Sequence, residues 1–383
     1  MQQRWIWQND NWTQFYWNDK AIQPLLRDCH KAIGLLQGKQ SLEGESPTTV
    51  LDTLLQNLLA SSAIEGEELN ASSVRSSLAQ HLGISDDQPY PVSDRSEGLT
   101  EMLMDALNHL ETPMTQERLC HWQRLLFPDS ALPLTHAIRV GELRGHEPMQ
   151  VVSGRLDRQK IHFEAPPRDK LETLLQEFCD WFNQDLNTLS IDPLVRAGVA
   201  HLWFVTLHPF DDGNGRLTRA LTDRALAQAD AHTVRLFAMS VTILDKRSEY
   251  YSALEAAQWH QDNDQGSDIT EWCQWFLTTL LESVNDAINQ VDRTIAKAQF
   301  WQTFRDTPLS VEQKKVLNRL LDGGPNGFEQ GISAAQYQKV AKVSKATATR
   351  HLADLVVKGC VGKLPGGGRS TRYQISTQVP LSS

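Results

Sequence analysis

Apolar residues recur at intervals of three and four along most of the 383-residue chain. The clearest case lies within residues 48–82, where five leucines share one helical face: Leu51, Leu54, Leu55, Leu58 and Leu59. The same spacing predicts further helices over residues 21–36, 93–127, 171–182, 193–207, 217–229, 236–244 and 269–300. The chain is therefore predicted to be mainly α.

Residues 137–167 break this helical pattern. Short apolar runs at 149–152 and 160–163 are interrupted and flanked by turn-forming residues, namely Gly141, Gly145, Gly154, Pro166 and Pro167. Short runs bounded in this way are typical of strands joined by a turn. The segment predicts a β-hairpin.

A different arrangement begins near Pro308. The pattern predicts one helix over 311–321, a loop over 323–331, and two helices over 334–341 and 345–358. The last two helices are joined at Lys342 and Val343, with Ser344 as the N-cap. A hairpin with its tip at Gly366, Gly367 and Gly368 follows and closes on residues 372–375. This order predicts a C-terminal winged helix-turn-helix domain.

The charge of this C-terminal region differs from that of the whole chain. The formal net charge of −10 argues against a protein that coats nucleic acid over its whole surface. Residues 334–375 instead contain one acidic residue, Asp354, and eight basic residues: Lys339, Lys342, Lys345, Arg350, Lys358, Lys363, Arg369 and Arg372. Together with Thr347 and Thr349, they predict contact with duplex DNA. The alternative is a winged helix used for protein contacts or dimerisation.

Cysteine usage and hydropathy predict a cytoplasmic location without a membrane span. The five cysteines are scattered and form no CxxC pair, which fits reduced thiols and no zinc site; they are Cys29, Cys120, Cys179, Cys273 and Cys360. No apolar run approaches the roughly 20 residues of a membrane-spanning helix. Residues 1–20 are polar and aromatic, unlike a signal peptide.

Residues 208–219 have a composition that packing alone does not require. Gly213, Asn214 and Gly215 offer consecutive backbone N–H groups ahead of a helix, which is an arrangement that binds anions. Arg216 and Arg219 share one helical face near its positive end, so an anion is needed to join them.

Two further side chains add chemistry to this stretch. Asp212 is a hard oxygen ligand suited to Mg²⁺ that bridges phosphates. His208 can accept a proton near neutral pH. The alternative for the whole stretch is a helix–loop–helix turn with a capping Gly-Asn-Gly. A Walker loop would need Lys-Ser/Thr after its last glycine, and a Rossmann fingerprint would follow an apolar strand; neither is present.

The twelve residues from His208 to Arg219 resemble the HPFx(D/E)GNGRxxR motif of the Fic family of AMP-transferring enzymes. The resemblance implies that His208 activates a target hydroxyl and that Asp212 binds Mg²⁺. It also implies that Gly213, Asn214 and Gly215 form an anion cradle and that Arg216 and Arg219 bind phosphates. Phe210 would be a core residue.

A second match lies upstream. Ser61, Glu65 and Gly66 fit the (S/T)xxxE(G/N) inhibitory motif of Fic proteins, although a glycine at a helix C-terminus explains this spacing by itself. The resemblance implies that Glu65 pairs with Arg219 and inhibits the enzyme. It also implies that the 137–167 hairpin is a flap that aligns the target segment, and that Tyr250 and Tyr251 border the adenine.

An aromatic cluster opens the chain, with Trp5, Trp7, Trp12, Phe15, Tyr16 and Trp17. We interpret it as a cap packed on the main domain, with a ligand cage as the alternative. Some Fic proteins have a similar Trp-rich leader, and the resemblance implies no chemistry there.

These observations predict three domains. Residues 1–90 form the Trp-rich segment and inhibitory helix, 91–300 a helical Fic core with its flap, and 301–383 the winged helix. The function implied is AMP transfer from ATP, with Mg²⁺, to a Ser, Thr or Tyr hydroxyl of a target protein or of the chain itself. The alternative is a DNA-binding transcriptional regulator whose Fic core senses a nucleotide. Removal of AMP, a different donor and a homodimer stay open.

Overall fold

The computed structural model describes residues 5–43, 46–85, 89–128, 138–154, 160–186, 188, 190–230, 233–259, 266–323, 328, 330–365 and 371–376. The chain divides into two compact units, residues 1–287 and 288–383. This division lies ahead of the predicted boundary at 300/301.

Helices make up most of the first unit, which agrees with the mainly α prediction. They are α1 (Asp19–Glu43), α2 (Pro47–Ile64), α3 (Ala71–His81), α4 (Asp94–Asn108), α5 (Gln116–Leu126), α6 (Arg168–Phe182), α7 (Pro193–Leu207), α8 (Asn214–Ala229), α9 (Met239–Asp245), α10 (Arg247–Ala257) and α11 (Thr270–Thr303). The division between units falls within α11, which covers the predicted 269–300 stretch as one helix.

Short polar side chains determine where several of these helices begin. Asn70, Ser93, Thr115 and Asp192 each accept a hydrogen bond from a backbone N–H in the first turn of α3, α4, α5 and α7. Such caps satisfy N–H groups that have no partner within the helix. The helix boundaries therefore follow from local chemistry that is visible in the sequence.

Helix α7 lies at the centre of the first unit. Every residue from Leu194 to Leu207 is buried, so this helix has no solvent-facing side. A helix that is apolar all round is buried on all sides. Helix α8 packs against it, and Leu217 and Leu221 on α8 are fully buried. The loop between α7 and α8 and the start of α8, which together carry the 208–219 motif, are thereby held by the core.

The predicted hairpin is present. Strands β2 (Gln150–Ser153) and β3 (Lys160–Glu164) pair antiparallel, with Gln150 opposite Glu164 and Ser153 opposite Lys160. The register shifts between Val151 and Val152, where one strand bulges. Residues 155–159, between the strands, lie outside the described residues, as does Ala137 at the start of the predicted segment.

The N-terminal aromatic residues pack onto the first unit as a cap. Trp5 lies edge-on to Phe163 of β3, with ring centroids 5.5 Å apart, and Trp7 Nε1 donates to the Glu164 carbonyl at 2.6 Å. Trp12 packs against Trp203 of α7. The same N-terminal segment contains the short strand β1 (Phe15–Tyr16), which pairs in parallel with β4 (Ser267–Asp268). These contacts favour the packed cap over a ligand cage.

In its described residues, the second unit contains the C-terminal part of α11, three further helices and a small sheet. Its further elements are α12 (Val311–Asp322), β5 (Ile332–Ser333), α13 (Ala334–Ala341), α14 (Lys345–Val357), β6 (Val361–Lys363) and β7 (Arg372–Ile375). The sheet is antiparallel in the order β5-β7-β6. Ser344 caps α14 as predicted, and Lys342 takes the left-handed conformation in the turn before it. The predicted tip at 366–368 and Arg369 lie outside the described residues.

Two further findings concern membrane spans and thiols. Within the described ranges, no helix is both long and apolar enough to cross a membrane.

All five cysteines fall within the described ranges, and each is a free thiol. Burial raises the pKa of Cys29, Cys179 and Cys273 to about 12. These three thiols therefore stay protonated near neutral pH.

Gly98 of α4 is expected to be required for packing against α5. A Cβ atom added at Gly98 would lie 2.0 Å from the Leu125 carbonyl oxygen, which is backbone and cannot swing aside. We expect Gly98→Ala to lower the free energy of unfolding by roughly 1–3 kcal/mol. Gly38→Ala in α1 is the matched control, because a Cβ there meets nothing within 4 Å; it should raise stability by roughly 0.5–1 kcal/mol. Denaturant titrations followed by circular dichroism measure both, and equal effects would contradict the packing role.

Candidate active site

A cavity of about 660 Å³ lies where the α7–α8 loop meets the hairpin and α10. The loop contributes His208 and residues 211–215 to its wall, and Glu65 reaches it from the end of α2. The hairpin lines the cavity with residues from β2 and β3. Four segments that are distant in sequence therefore surround one space.

His208 ends α7 in the left-handed conformation, with φ 48°. Its ring Nδ1 lies 3.1 Å from the Val205 carbonyl oxygen, which can only accept. In the neutral ring Nδ1–H therefore donates, and Nε2 carries the lone pair. Burial lowers the pKa of His208, although the hydrogen bond to Val205 raises it in part. The residue is thus held as a neutral base.

Arg144 supports this conformation, a role that sequence reasoning missed and for which no motif provides a signal. Its Nε donates to the His208 carbonyl at 2.8 Å, and its backbone N–H donates to the Pro209 carbonyl at 2.9 Å. The Arg144 side chain is 2% exposed, and desolvation lowers its pKa to about 10. A non-glycine residue at positive φ is strained unless its surroundings hold it, and Arg144 supplies part of that restraint.

Asn214 closes the loop. Its side-chain Oδ1 accepts from the Phe210 N–H at 3.0 Å, and its Nδ2 donates to the Phe210 carbonyl at 2.8 Å. Phe210 is fully buried, as the sequence motif implied. Gly213 has φ 90°, and a Cβ there would lie 2.9 Å from Leu126, so glycine is required at this turn.

Helix α8 begins at Asn214, three residues before the predicted start at Leu217. Gly213 is its N-cap and has no side chain to accept from the first turn. The first N–H groups of a helix have no partner within it, and the helix dipole favours negative charge there. The N-terminus of α8 opens into the cavity at Gly213, Asn214 and Gly215, which fits an anion cradle.

The two adjacent aspartates of the loop have different environments. Asp211 is bonded to Arg139 through both the backbone N–H and the guanidinium, at 3.0 and 3.1 Å. Asp212 is 50% exposed and accepts from the Gly213 N–H and, at 3.3 Å, from Arg216. The described residues contain no group of three or more His, Cys, Asp or Glu side chains able to hold a metal. A metal ion here would therefore need phosphate oxygens besides Asp212, which is how Mg²⁺ commonly binds.

Arg219 is joined to the end of α2 by three hydrogen bonds. Its Nε donates to Ser61 Oγ at 2.8 Å, and its Nη2 donates to the Ser61 carbonyl and to Glu65 Oε1 at 2.7 and 2.8 Å. Arg219 is 3% exposed, and its Nη1 is buried with no hydrogen-bond partner in the described part of the chain. The guanidinium therefore has a donor to spare for an anion.

Glu65 depends on glycine at position 215. A Cβ added at Gly215 would lie 2.0 Å from Glu65 Oε1, so only glycine leaves room for this carboxylate. Burial raises the pKa of Glu65, but the charge and hydrogen bond of Arg219 and the charge of Arg216 outweigh it, so the pKa is below its ordinary value. Glu65 is therefore ionised near neutral pH. Gly66 follows with φ 82° and ends the turn.

Glu67 pairs with the other motif arginine, and sequence reasoning missed it. Arg216 Nη1 donates to Glu67 Oε2 at 2.7 Å, and Arg95 lies 2.5 Å from Glu67 Oε1. Arg216 also stacks over Phe127 and is 1% exposed. The sequence signal for this pair was Glu67 itself, a second carboxylate two residues after Glu65 that could pair with the second motif arginine.

The tyrosine pair lies on the cavity wall. Tyr250 is buried, and its hydroxyl donates to His201 Nε2 at 2.9 Å, while His201 Nδ1 contacts Thr222. Burial raises the pKa of Tyr250. The Tyr251 hydroxyl donates to the Ile64 carbonyl at 3.4 Å, and Arg247 covers its ring. That these residues border an adenine stays a prediction.

Comparison with known families agrees with this geometry. Residues 113–226 match the Fic/DOC family. This stretch contains the whole 208–219 motif. Residues 5–84 match a domain of unknown function, DUF4172. The segment with Ser61 and Glu65 thus belongs to a second recurrent region.

Known relatives match part of the chain. It is 39% identical over 110 residues to protein adenylyltransferase fic-1 of Caenorhabditis elegans, which is 28% of this chain and 20% of that protein. It is 36% identical over 96 residues to protein adenylyltransferase Fic of Drosophila willistoni, which is 25% of this chain and 18% of that protein. The chain thus spans about a fifth of the length of these relatives.

A solved structure shares the fold along most of the chain. The crystal structure of a Fic family protein from Desulfovibrio desulfuricans G20 superposes with a TM-score of 0.52 and 19% sequence identity. The match covers 95% of this chain and 98% of that one. At 19% sequence identity, this structural similarity shows a shared fold alone.

We expect His208 to titrate below the ordinary histidine pKa of about 6.5, because burial disfavours the charged ring. Above the lowered pKa the ring is neutral, so the proton-accepting form should predominate already at pH 6.5. NMR of labelled histidine side chains over a pH series measures this, and His208→Gln identifies the signal. Buried His201, whose pKa is lowered to about 3, should stay neutral throughout the mildly acidic range. A His208 midpoint above 6.5 would contradict the prediction.

Proposed function

We propose that the Fic/DOC domain of this chain transfers AMP from ATP to a Ser, Thr or Tyr hydroxyl of a target protein and releases pyrophosphate. We propose further that the contact between Glu65 and Arg219 holds the enzyme silent. The observation that carries the first proposal is the placement of a neutral histidine base and an anion-binding helix terminus on one cavity wall.

His208 would act as the base. Its Nε2 takes the proton of the target hydroxyl, whose oxygen bonds to the α-phosphorus while the bond from that phosphorus to the bridging oxygen breaks. The first N–H groups of α8 offset the charge that develops on the phosphate oxygens. Arg216 and Arg219, both buried and both able to donate, would position the pyrophosphate leaving group.

Asp212 is the residue that would hold Mg²⁺. It is the more exposed of the two loop aspartates, whereas Asp211 is engaged by Arg139. When bound, Mg²⁺ neutralises negative charge on the phosphates. One carboxylate together with phosphate oxygens is an adequate ligand set for this ion.

Glu65 would inhibit by occupying Nη2 of Arg219, which leaves only Nη1 of this guanidinium for the terminal phosphate. Arg219 makes its three contacts to Ser61 and Glu65 with Nε and Nη2, so ATP either displaces Glu65 or binds with its phosphates misplaced. A misplacement of about 1 Å can lower a rate by ~10²-fold. Glu65 is ionised near neutral pH, so the ion pair persists under those conditions.

The comparisons support AMP transfer at the level of the family. The relatives that match residues around the motif are named protein adenylyltransferases, and ATP is the substrate that such names imply. Removal of AMP, with Glu65 orienting a water, and use of another nucleotide are the alternative reactions for the same cavity. A nucleotide sensor without transfer is the alternative from another class, and it would make no use of a neutral base at His208.

Removal of the Glu65 carboxylate is expected to activate the enzyme. Glu65→Gly should raise AMP transfer by about 10²-fold, because Arg219 becomes available to the nucleotide. Arg219→Ala should stay inactive, since it removes the inhibitory partner and the phosphate ligand together, and the double variant should resemble it. Transfer of labelled AMP to the chain and to proteins of a cell extract measures all three.

The control for this experiment is Glu68→Gly, which removes an exposed carboxylate from the same loop and should leave transfer unchanged. Equal transfer by the wild type and Glu65→Gly would refute inhibition. A fully active Arg219→Ala would show that Arg219 does not hold the nucleotide.

We infer a second function, contact with duplex DNA, from the exposed face of α14. Lys345, Thr349 and Arg350 are exposed on this helix, whereas Ala348, Leu352 and Leu355 face the core of the second unit. Exposed Lys, Thr and Arg on the second helix of a helix-turn-helix suit phosphates and base edges.

Binding of the full chain to a duplex of mixed sequence tests this inference. Fluorescence anisotropy should show affinity that falls with salt, because bound lysine and arginine release counterions. Changing Lys345 and Arg350 to alanine should reduce the slope of log affinity against log salt by about 2. The matched control changes Lys314 and Lys315, both exposed on α12, and should keep the slope. Absence of binding at low salt would favour protein contacts instead.

A further inference from the structure

A second group of reactive side chains lies on the wall of the cavity that His208 lines. Ser153 Oγ on β2 is 2.5 Å from His162 Nε2 on β3, and His162 Nδ1 is 2.9 Å from Glu255 Oε2 on α10. All three residues line the same cavity as the 208–219 loop. A nucleophile, a base and an orienting carboxylate in hydrogen-bond contact are the arrangement that activates a hydroxyl.

The hydrogen-bond directions follow from the carboxylate. Glu255 is only an acceptor when ionised, and its hydrogen bond to His162, together with Lys160, lowers its pKa below the ordinary value. In the neutral ring His162 Nδ1–H therefore donates to Glu255, and Nε2 accepts from the Ser153 hydroxyl. The Ser153 oxygen keeps its lone pairs available for attack, as in a serine–histidine–carboxylate triad.

Ser153 also differs from the other hydroxyls of the cavity wall. Among the residues that line the cavity, Tyr250 and Tyr251 are the other two with a hydroxyl. Tyr250 is buried and donates to His201, and Tyr251 contacts the Ile64 carbonyl. Ser153 is exposed to the cavity and is the one of these three whose partner is a base held by a carboxylate.

We propose that Ser153 is an AMP acceptor within this chain, with His162 as its base and Glu255 as the residue that orients the ring. Ser153 Oγ forms a bond to the α-phosphorus of ATP, and the bond from that phosphorus to the bridging oxygen breaks. Pyrophosphate leaves with that electron pair, and the hydroxyl proton moves to His162 Nε2. The product is a phosphodiester on β2, and the inference rests on the proposed AMP transfer.

The same contacts could instead have only a structural role, as a clasp that holds the hairpin against α10. A variant of Lys160 distinguishes this role from proton transfer by His162. Lys160 Nζ lies 3.0 Å from Glu255 Oε1, so it also ties β3 to α10, but it takes no part in the proton path. If the contacts act only as a clasp, loss of Lys160 and loss of His162 should have similar effects. If His162 is a base, only its loss should stop modification of Ser153.

The test uses the full chain in the Glu65→Gly form, incubated with ATP and Mg²⁺. Intact mass and peptide mapping should locate one AMP group on Ser153. Ser153→Ala should lose that modification, and Ser153→Thr, which keeps a hydroxyl, should retain it. His162→Gln should reduce it by about 10²–10⁴-fold. Glu255→Gln should also reduce it, whereas Lys160→Gln and Glu249→Gln, the latter an exposed residue of α10, should leave it unchanged.

Each result decides the inference. AMP on other residues with Ser153 unmodified would overturn it and leave the proposed AMP transfer standing. Modification of Ser153 that survives His162→Gln, or that is lost equally in Lys160→Gln, would overturn the role of His162 as base. No AMP on the chain or on extract proteins, with no pyrophosphate released, would instead show that the proposed transfer itself fails.

Discussion

The conformation of the loop between α7 and α8 is the constraint on which the rest of the site depends. His208 occupies a left-handed conformation that costs a non-glycine residue free energy. Arg144 holds its carbonyl, Asn214 holds the Phe210 backbone, and buried Phe210 anchors the loop in the core. With the chain reversed so tightly, the histidine ring and the N-terminus of α8 face one cavity. A base and an anion site thus arise from the same turn.

Charge pairing connects this loop to a segment about 150 residues earlier in the chain. Arg216 and Arg219 are almost fully buried, and burial of a cation is costly unless it is paired. Glu67 and Glu65 supply the partners from the end of α2. These pairs stabilise the arginines in the absence of a nucleotide. An anion that takes either guanidinium from its carboxylate must compete with these pairs.

The hairpin and α10 form the remaining walls of the cavity, and side chains of these two elements contact each other. Trp5 and Trp7 contact β3 from the N-terminal segment, and Glu255 of α10 contacts β3 through His162. The hairpin is therefore positioned from two directions. Its cavity-facing side chains, including Ser153, lie at defined places relative to α10.

The sequence by itself determined the helices, their caps and the twelve-residue motif, because apolar spacing, capping residues and glycine turns are properties of short segments. It also indicated Glu65 and its partner Arg219 through a resemblance of motifs. The pairing of Glu67 with Arg216, the support of His208 by Arg144, and the contact of Ser153, His162 and Glu255 depended on tertiary structure. Each of these joins segments between 9 and 149 residues apart. No short-range pattern encodes the contacts of Glu67 with Arg216, of Arg144 with His208 or of His162 with Glu255, because packing between distant segments decides which side chains meet.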